Sequence, residues 1–181
     1  NIMRKNQNLE YITSRVLKEM GRIIGRERPD FLIVQGDTTT AMAASLAALY
    51  QKVKVAHVEA GLRTFDKYHP YPEEVNRRII DSVTDLYFAH TPAARQNLLK
   101  EGVASEKIEV TGNTVIDALL TTIQKPYEFN GPPWGQLGLN GQKVILVTAH
   151  RRENFDEPIR NICQAIKEVA SRYGDQVAFV Y

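Results

Sequence analysis

The sequence predicts an α/β protein of the doubly wound type, with parallel strands alternating with helices. Three observations predict it. Apolar runs recur at residues 31–34, 53–58, 86–89 and 108–110, each too short for a helix and bounded by turn residues. Segments with apolar residues at helical spacing separate them. The polar loops between strand and helix carry Gly, Thr, Asn and Pro, which start and stop helices. Alternation of this kind builds a parallel sheet with helices packed against it.

The elements follow in order. Leu9, Ile12, Val16, Leu17, Met20, Ile23 and Ile24 form a helical stripe, and Gly25 is placed to end it. Pro29-Asp30 is a turn before strand 31–34, whose unbroken apolar run predicts burial on both faces. The loop Gln35-Gly36-Asp37-Thr38-Thr39-Thr40 leads into an alanine-rich helix over 41–50, slim enough to pack closely on a sheet. Strand 53–58 delivers Glu59 into Ala60-Gly61. A polar loop holds Arg63, Asp66, Lys67, Tyr68 and His69, with the last three read as loop surface. Pro70 and Pro72 bracket Tyr71, and Glu73-Glu74 open a helix with acids in its first turn and Val75, Ile79, Ile80 and Val83 on its apolar face. After strand 86–89, Thr91-Pro92 caps a helix that Gly102 ends. Strand 108–110 precedes Gly112-Asn113-Thr114, which starts a helix reaching Ile123.

Residues 125–141 break the pattern with four Gly, three Pro and no period, and read as a linker. Strand 144–147 follows, then Thr148 to Asn154, then a helix from Pro158 with Ile159, Ile162, Ile166 and Val169 on one face, which Gly174 ends before a strand from Val177. The domains expected are therefore 1–124, a linker 125–141, and 142–181 as the first unit of a second domain. The chain enters a helix almost at once and stops inside a strand, so it reads as a fragment.

Bulk properties narrow the function classes. The chain has 181 residues, a formal charge of +2, 43% hydrophobic and 24% charged residues. Charge this near balance gives no expectation of nucleic acid or a membrane surface as partner. No run approaches the roughly 18 apolar residues of a membrane helix, and nothing resembles a signal peptide. Cys163 is the sole cysteine, so no intrachain disulfide forms, which fits a reducing, cytoplasmic setting. There is no G-x-G-x-x-G, no Walker A motif and no metal-ligand cluster, so neither a dinucleotide nor a metal is expected.

Ligands of open α/β sheets bind beyond the carboxyl ends of the strands. Three places there carry chemistry. Asp37 follows strand 31–34 and is either a helix N-cap, shared with the neighbouring threonines, or a substrate contact. Glu59 ends an apolar strand, where a carboxylate is unexpected unless it faces a cleft or pairs with Arg63. His57 shares its face of the strand and reads as a satisfied core histidine. Glu73 and Glu74 have a plainer role, as i,i+4 partners of Arg77 and Arg78 worth about 0.3–0.5 kcal/mol each. His150-Arg151-Arg152 directly follows a strand and suits a diphosphate, unless it pairs with Glu153 and Asp156. Carboxylates for a sugar and cations for a diphosphate together fit a sugar nucleotide.

The motifs V-Q-G-D-T-T-T, H-V-E-A-G-L-R-T, Y-P-E-E-V-N-R-R, V-T-G-N-T-V-I-D-A-L and T-A-H-R-R-E-N-F, in this order over nearly the whole chain, resemble the bacterial non-hydrolysing UDP-N-acetylglucosamine 2-epimerases. The resemblance implies a GT-B-type fold, two Rossmann-like domains with the active site between them, here truncated at both ends. It implies interconversion of UDP-GlcNAc and UDP-ManNAc by anti elimination of UDP to a 2-acetamidoglucal and re-addition after C2 protonation on the other face, without nicotinamide. The C2 proton is not acidic, so a positioned carboxylate must take it. The family's catalytic positions fall on Asp37, Glu59, Glu73 and His150. Its substrate-binding positions fall on Asp37, Glu59, Arg63, His150, Arg151 and Asn154, and a family activator site on Glu73, His150 and Arg151. A cytoplasmic homodimer serving cell-surface polysaccharide synthesis is also implied. The chain departs from the family pattern at Phe65 to His69, at Phe155-Asp156 and in a longer segment over 131–141. Other readings are a hydrolysing epimerase that releases UDP and ManNAc, an epimerase of another UDP-2-acetamido sugar, a non-catalytic UDP-sugar-binding GT-B module, and a GT-B glycosyltransferase.

Overall fold

The computed structural model describes residues 7–126, 141–149 and 156–181. The chain divides into two compact units, Asn1–Gln124 and Lys125–Tyr181. The linker expected over 125–141 lies mostly outside the described residues.

The first unit carries one parallel sheet of four strands, β1 (Phe31–Gln35), β2 (Lys54–Ala60), β3 (Leu86–Ala89) and β4 (Ile108–Val110), in that order across the sheet. Its helices are α1 (Leu9–Glu27), α2 (Thr39–Tyr50), α3 (Glu73–Val83), α4 (Pro92–Lys100) and α5 (Thr114–Ile123). The strands and helices expected in this stretch are all present, and each strand pairs with the next. The second unit pairs β5 (Lys143–Leu146) with β6 (Val177–Val180) in a separate parallel sheet, and α6 (Glu157–Tyr173) connects them. Along α6 the half-buried positions include Ile159, Ile162, Ile166 and Val169, the stripe expected from spacing.

The core of the first unit has two parts. In one, Val16 and Ile24 of α1, the alanines of α2, Val34, Val55 and Ile80 pack together. Ala43 and Ala48 have no exposed surface, so α2 fits between its neighbours only because its side chains are small. In the other, Ala60, Tyr87 and Ala89 meet Ala94, Leu98 and Ile108.

Three local expectations are corrected. Helix α1 runs past Gly25 and ends at Arg28, whose left-handed backbone (φ 47°) lets its N–H reach the Ile24 carbonyl. Strand β1 is not buried on both faces. Leu32 and Val34 face the helices, whereas Phe31 and Ile33 are 42% and 66% exposed, with the Lys54 ammonium 5.5 Å from the Phe31 ring centre. Strand β2 does not stop before Glu59. It continues to Ala60 through a β-bulge between Val58 and Ala60.

Helix α3 differs most from its sequence reading. Its buried residues are Glu74, Asn76, Arg77, Ile80 and Asp81, and only one of these is apolar. Charged groups enter an interior when paired or hydrogen-bonded. All four polar ones have partners in the loops after β1 and β2 or in β2 itself.

Candidate active site

The candidate site lies at the carboxyl ends of β1 and β2, where two carboxylates leave neighbouring strands. Gly36 closes β1. Its N–H donates to the Val58 carbonyl at 3.0 Å and its carbonyl accepts from His57 Nε2 at 2.9 Å. It has φ +72°, a conformation natural to glycine, and a Cβ there would stand 3.7 Å from Glu59 Oε2. Gly36 is therefore the floor beneath the Glu59 carboxylate.

Glu59 is the extra residue of the β2 bulge and has φ +72°, a rare conformation for a side chain without local hydrogen bonds to its own backbone. The bulge re-aims its side chain. Its Oε1 accepts from Gln35 Nε2 at 3.1 Å, and the same amide lies 3.3 Å from Thr114 Oγ1 at the start of α5. It makes no ion pair among the described residues, Arg63 included.

Asp37 is not the cap of α2. Thr38 is, its Oγ1 accepting from Ala41 N–H at 3.1 Å. The Asp37 carboxylate instead pairs with Arg77 Nη2, and its carbonyl accepts from Asn76 Nδ2 at 2.9 Å. Helix α3 thus grips the β1–α2 turn by two consecutive residues.

The i,i+4 pairs expected on α3 are not formed. Arg77 joins Asp37 and Glu74 rather than Glu73, because the helix turns this face inward against the β1–α2 turn. Glu73 is half-buried, with no hydrogen bond or ion pair to its carboxylate among the described residues. Glu74 is fully buried and does not meet Arg78, which is exposed. Its two oxygens accept from the N–H groups of Thr64 at 3.0 Å and Phe65 at 3.2 Å, so it anchors the loop after β2. Replacing Glu74 by Gln turns one acceptor into an NH₂ group facing a backbone donor. The expected cost is about 1–3 kcal/mol, read as a lower urea midpoint of the purified protein.

Arg63 was expected at the substrate. Its side chain has no exposed surface and is held by Asp81 Oδ2 at 2.8 Å and by Glu101 through two bonds of 2.6 and 2.7 Å. Burial opposes its charge, but Glu101 and Asp81 outweigh that and hold its pKa above the ordinary guanidinium value. It is a brace inside the unit. His57 is a satisfied core histidine, as its position on the strand suggested, fully buried between Gly36 and Asp81. Burial, with Asp81 and Asp85 nearby, pushes the Tyr87 hydroxyl up to about 12, and this hydroxyl donates to the Asp81 carbonyl at 2.7 Å.

His150, Arg151 and Asn154 lie outside the described residues, as do the departures at 131–140 and Phe155. Among the described residues no group of histidines, cysteines and acids is arranged to hold a metal ion. Sequence reading missed Asp81, Arg77 and Asn76. The signal was present, since Glu74, Arg77 and Asp81 recur at steps of three and four and share one side of a helix.

Comparison with known proteins adds independent findings. The family profile described as UDP-N-acetylglucosamine 2-epimerase matches residues 1–181. A UDP-N-acetylglucosamine 2-epimerase of Bacillus subtilis is 48% identical over 181 residues, covering 100% of this chain and 46% of that protein. The crystal structure of a UDP-GlcNAc 2-epimerase from Neisseria meningitidis bound to UDP-GlcNAc matches with a TM-score of 0.87 and 44% identity, over 99% of this chain and 50% of that one. The S. aureus MnaA–UDP structure matches with a TM-score of 0.89 and 45% identity, over 100% of this chain and 46% of that one. The chain spans about half the length of the curated relatives it matches.

Proposed function

Because the chain belongs to the UDP-N-acetylglucosamine 2-epimerase family, whose GT-B-type α/β architecture its parallel sheets match, we propose that the full-length protein interconverts UDP-GlcNAc and UDP-ManNAc. In the forward direction the C2–H bond breaks and its electron pair forms the C1–C2 double bond. As that double bond forms, the C1–O bond breaks and UDP leaves with its electrons, giving 2-acetamidoglucal. Protonation of C2 on the opposite face and return of UDP to C1 complete the epimerisation.

The observation that carries this reading is the unequal treatment of two strand-end carboxylates. The Asp37 carboxylate is committed to an ion pair with Arg77, whereas Glu59 makes no ion pair among the described residues and only accepts from Gln35. Glu59 is accordingly assigned the proton transfer at C2, and Asp37 the orientation of substrate from a fixed place. Glu73 is the second acid. His150 and Arg151 are assigned the charge that builds on departing UDP, Asn154 a substrate contact, and Glu73, His150 and Arg151 an activator site. The proposal includes a homodimer working in the cytoplasm for cell-surface polysaccharide synthesis. No helix among the described residues is long and apolar enough to cross a membrane.

The test is incubation of the full-length protein with UDP-GlcNAc alone in deuterated water, followed by NMR. UDP-ManNAc is expected, with deuterium at C2. Epimerisation without deuterium at C2 would exclude the elimination. Release of free ManNAc would make the enzyme a hydrolysing epimerase, and an unchanged substrate would leave a binding module.

A further inference from the structure

Two residues that the proposed chemistry does not touch hold the backbone on both sides of Glu59. His57, two residues before it, uses both ring nitrogens: Nε2 lies 2.9 Å from the Gly36 carbonyl and Nδ1 2.6 Å from Asp81 Oδ1. A carbonyl only accepts, so Nε2 carries a proton and donates it to Gly36. Asp81, on α3, also accepts from the N–H of Gly61 at 3.2 Å, two residues after Glu59. One buried carboxylate therefore grips β2 on both sides of the bulge. Through His57 it reaches the turn that leads directly to Asp37.

Resting on the assignment of Glu59 and Asp37 above, we infer that His57 and Asp81 are positioning residues, which fix the Asp37 turn and the Glu59 bulge relative to each other. Gly36 is the link between them. Its N–H is held by the Val58 carbonyl, one residue before Glu59, and its carbonyl by His57. The Gly36 carbonyl bond is the specific contact. If it is lost, the turn keeps its fold through Asn76 and Arg77 but shifts against Glu59. A misplacement of about 1 Å at reacting groups costs on the order of 10²-fold in rate.

Two substitutions in the full-length enzyme separate the two bonds of His57. His57→Gln places an amide near the position of Nε2 and keeps the donor to Gly36. His57→Asn places it near Nδ1 and keeps only the bond to Asp81. His57→Asn is expected to lower kcat about 10²-fold while KM for UDP-GlcNAc changes less than about threefold. His57→Gln is expected to recover kcat to within about tenfold of wild type. Equal kcat in the two soluble variants, or a near-wild-type rate for His57→Asn, overturns the assignment, because a purely structural histidine would not distinguish them. Should His57→Asn fail to fold, ¹⁵N-labelled wild type decides. A His57 Nε2–H signal slow to exchange with solvent is expected, and an unprotonated Nε2 overturns the proposal. This measurement uses no substrate. A wild-type enzyme that leaves UDP-GlcNAc unchanged would sink the epimerase reading, while the ring signal still tests the geometry.

Discussion

Replacing Glu59 by Gln in the full-length enzyme is expected to lower kcat by about 10²–10⁴-fold, the usual contribution of a positioned proton-transfer group. The substitution isolates chemistry from structure. An amide oxygen still accepts from Gln35, and no ion pair is broken, because the described residues give Glu59 none. The bulge is held by Asp81 through His57 and Gly61, not by the Glu59 side chain, so its backbone should persist. The circular dichroism spectrum and urea midpoint should therefore match wild type while turnover falls. Deuterium entry at C2 should fall in step with turnover. A near-normal kcat for this variant would reduce Glu59 to a strand-end charge and leave the proton transfer to another group.

The second large effect concerns stability. Arg63→Met is expected to cost about 3–5 kcal/mol, the range for removing one partner of a buried ion pair. The guanidinium has no exposed surface and serves Asp81 and Glu101 at once. Methionine fills part of the space but leaves the Asp81 carboxylate, itself almost fully buried, without its cation. Equilibrium urea denaturation should show the midpoint falling sharply. If Arg63 instead contacted substrate, the variant would keep its stability and lose affinity, seen as a raised KM.

Much of the fold is legible in the sequence because strand and helix periods are local. The runs at 31–34, 53–58, 86–89 and 108–110 reappear as β1 to β4, and Asn113, Thr91 and Thr38 cap helices as their side chains allow. The site is less legible, for a physical reason. Its polar contacts are long-range. Arg77 reaches Asp37 across forty residues, and Arg63 reaches Glu101 across thirty-eight. Local pairing rules gave Arg77 to Glu73 and offered Arg63 only as an alternative partner for Glu59, its near neighbour in sequence. Hydrophobic spacing likewise pointed to Val75, Ile79, Ile80 and Val83 as the buried side of α3, when its deepest residues are mostly charged and bonded to groups on other elements. Strand ends show where a site lies. They do not show which of its charges are already spoken for.

The left-handed backbone at Glu59 sets two selective pressures against each other. An L-residue in that conformation gives up about 1–2 kcal/mol, and glycine, which would relieve this, loses about 0.5–1 kcal/mol through its freer unfolded chain. On backbone energy alone, glycine at position 59 is at least as stable as glutamate. Backbone energy therefore gives no reason to keep an acid there; the bond from Gln35 gives a small one, and the proposed proton transfer at C2 gives a large one. Under the proposed assignment, position 59 is where a lineage would lose chemistry before it lost its fold.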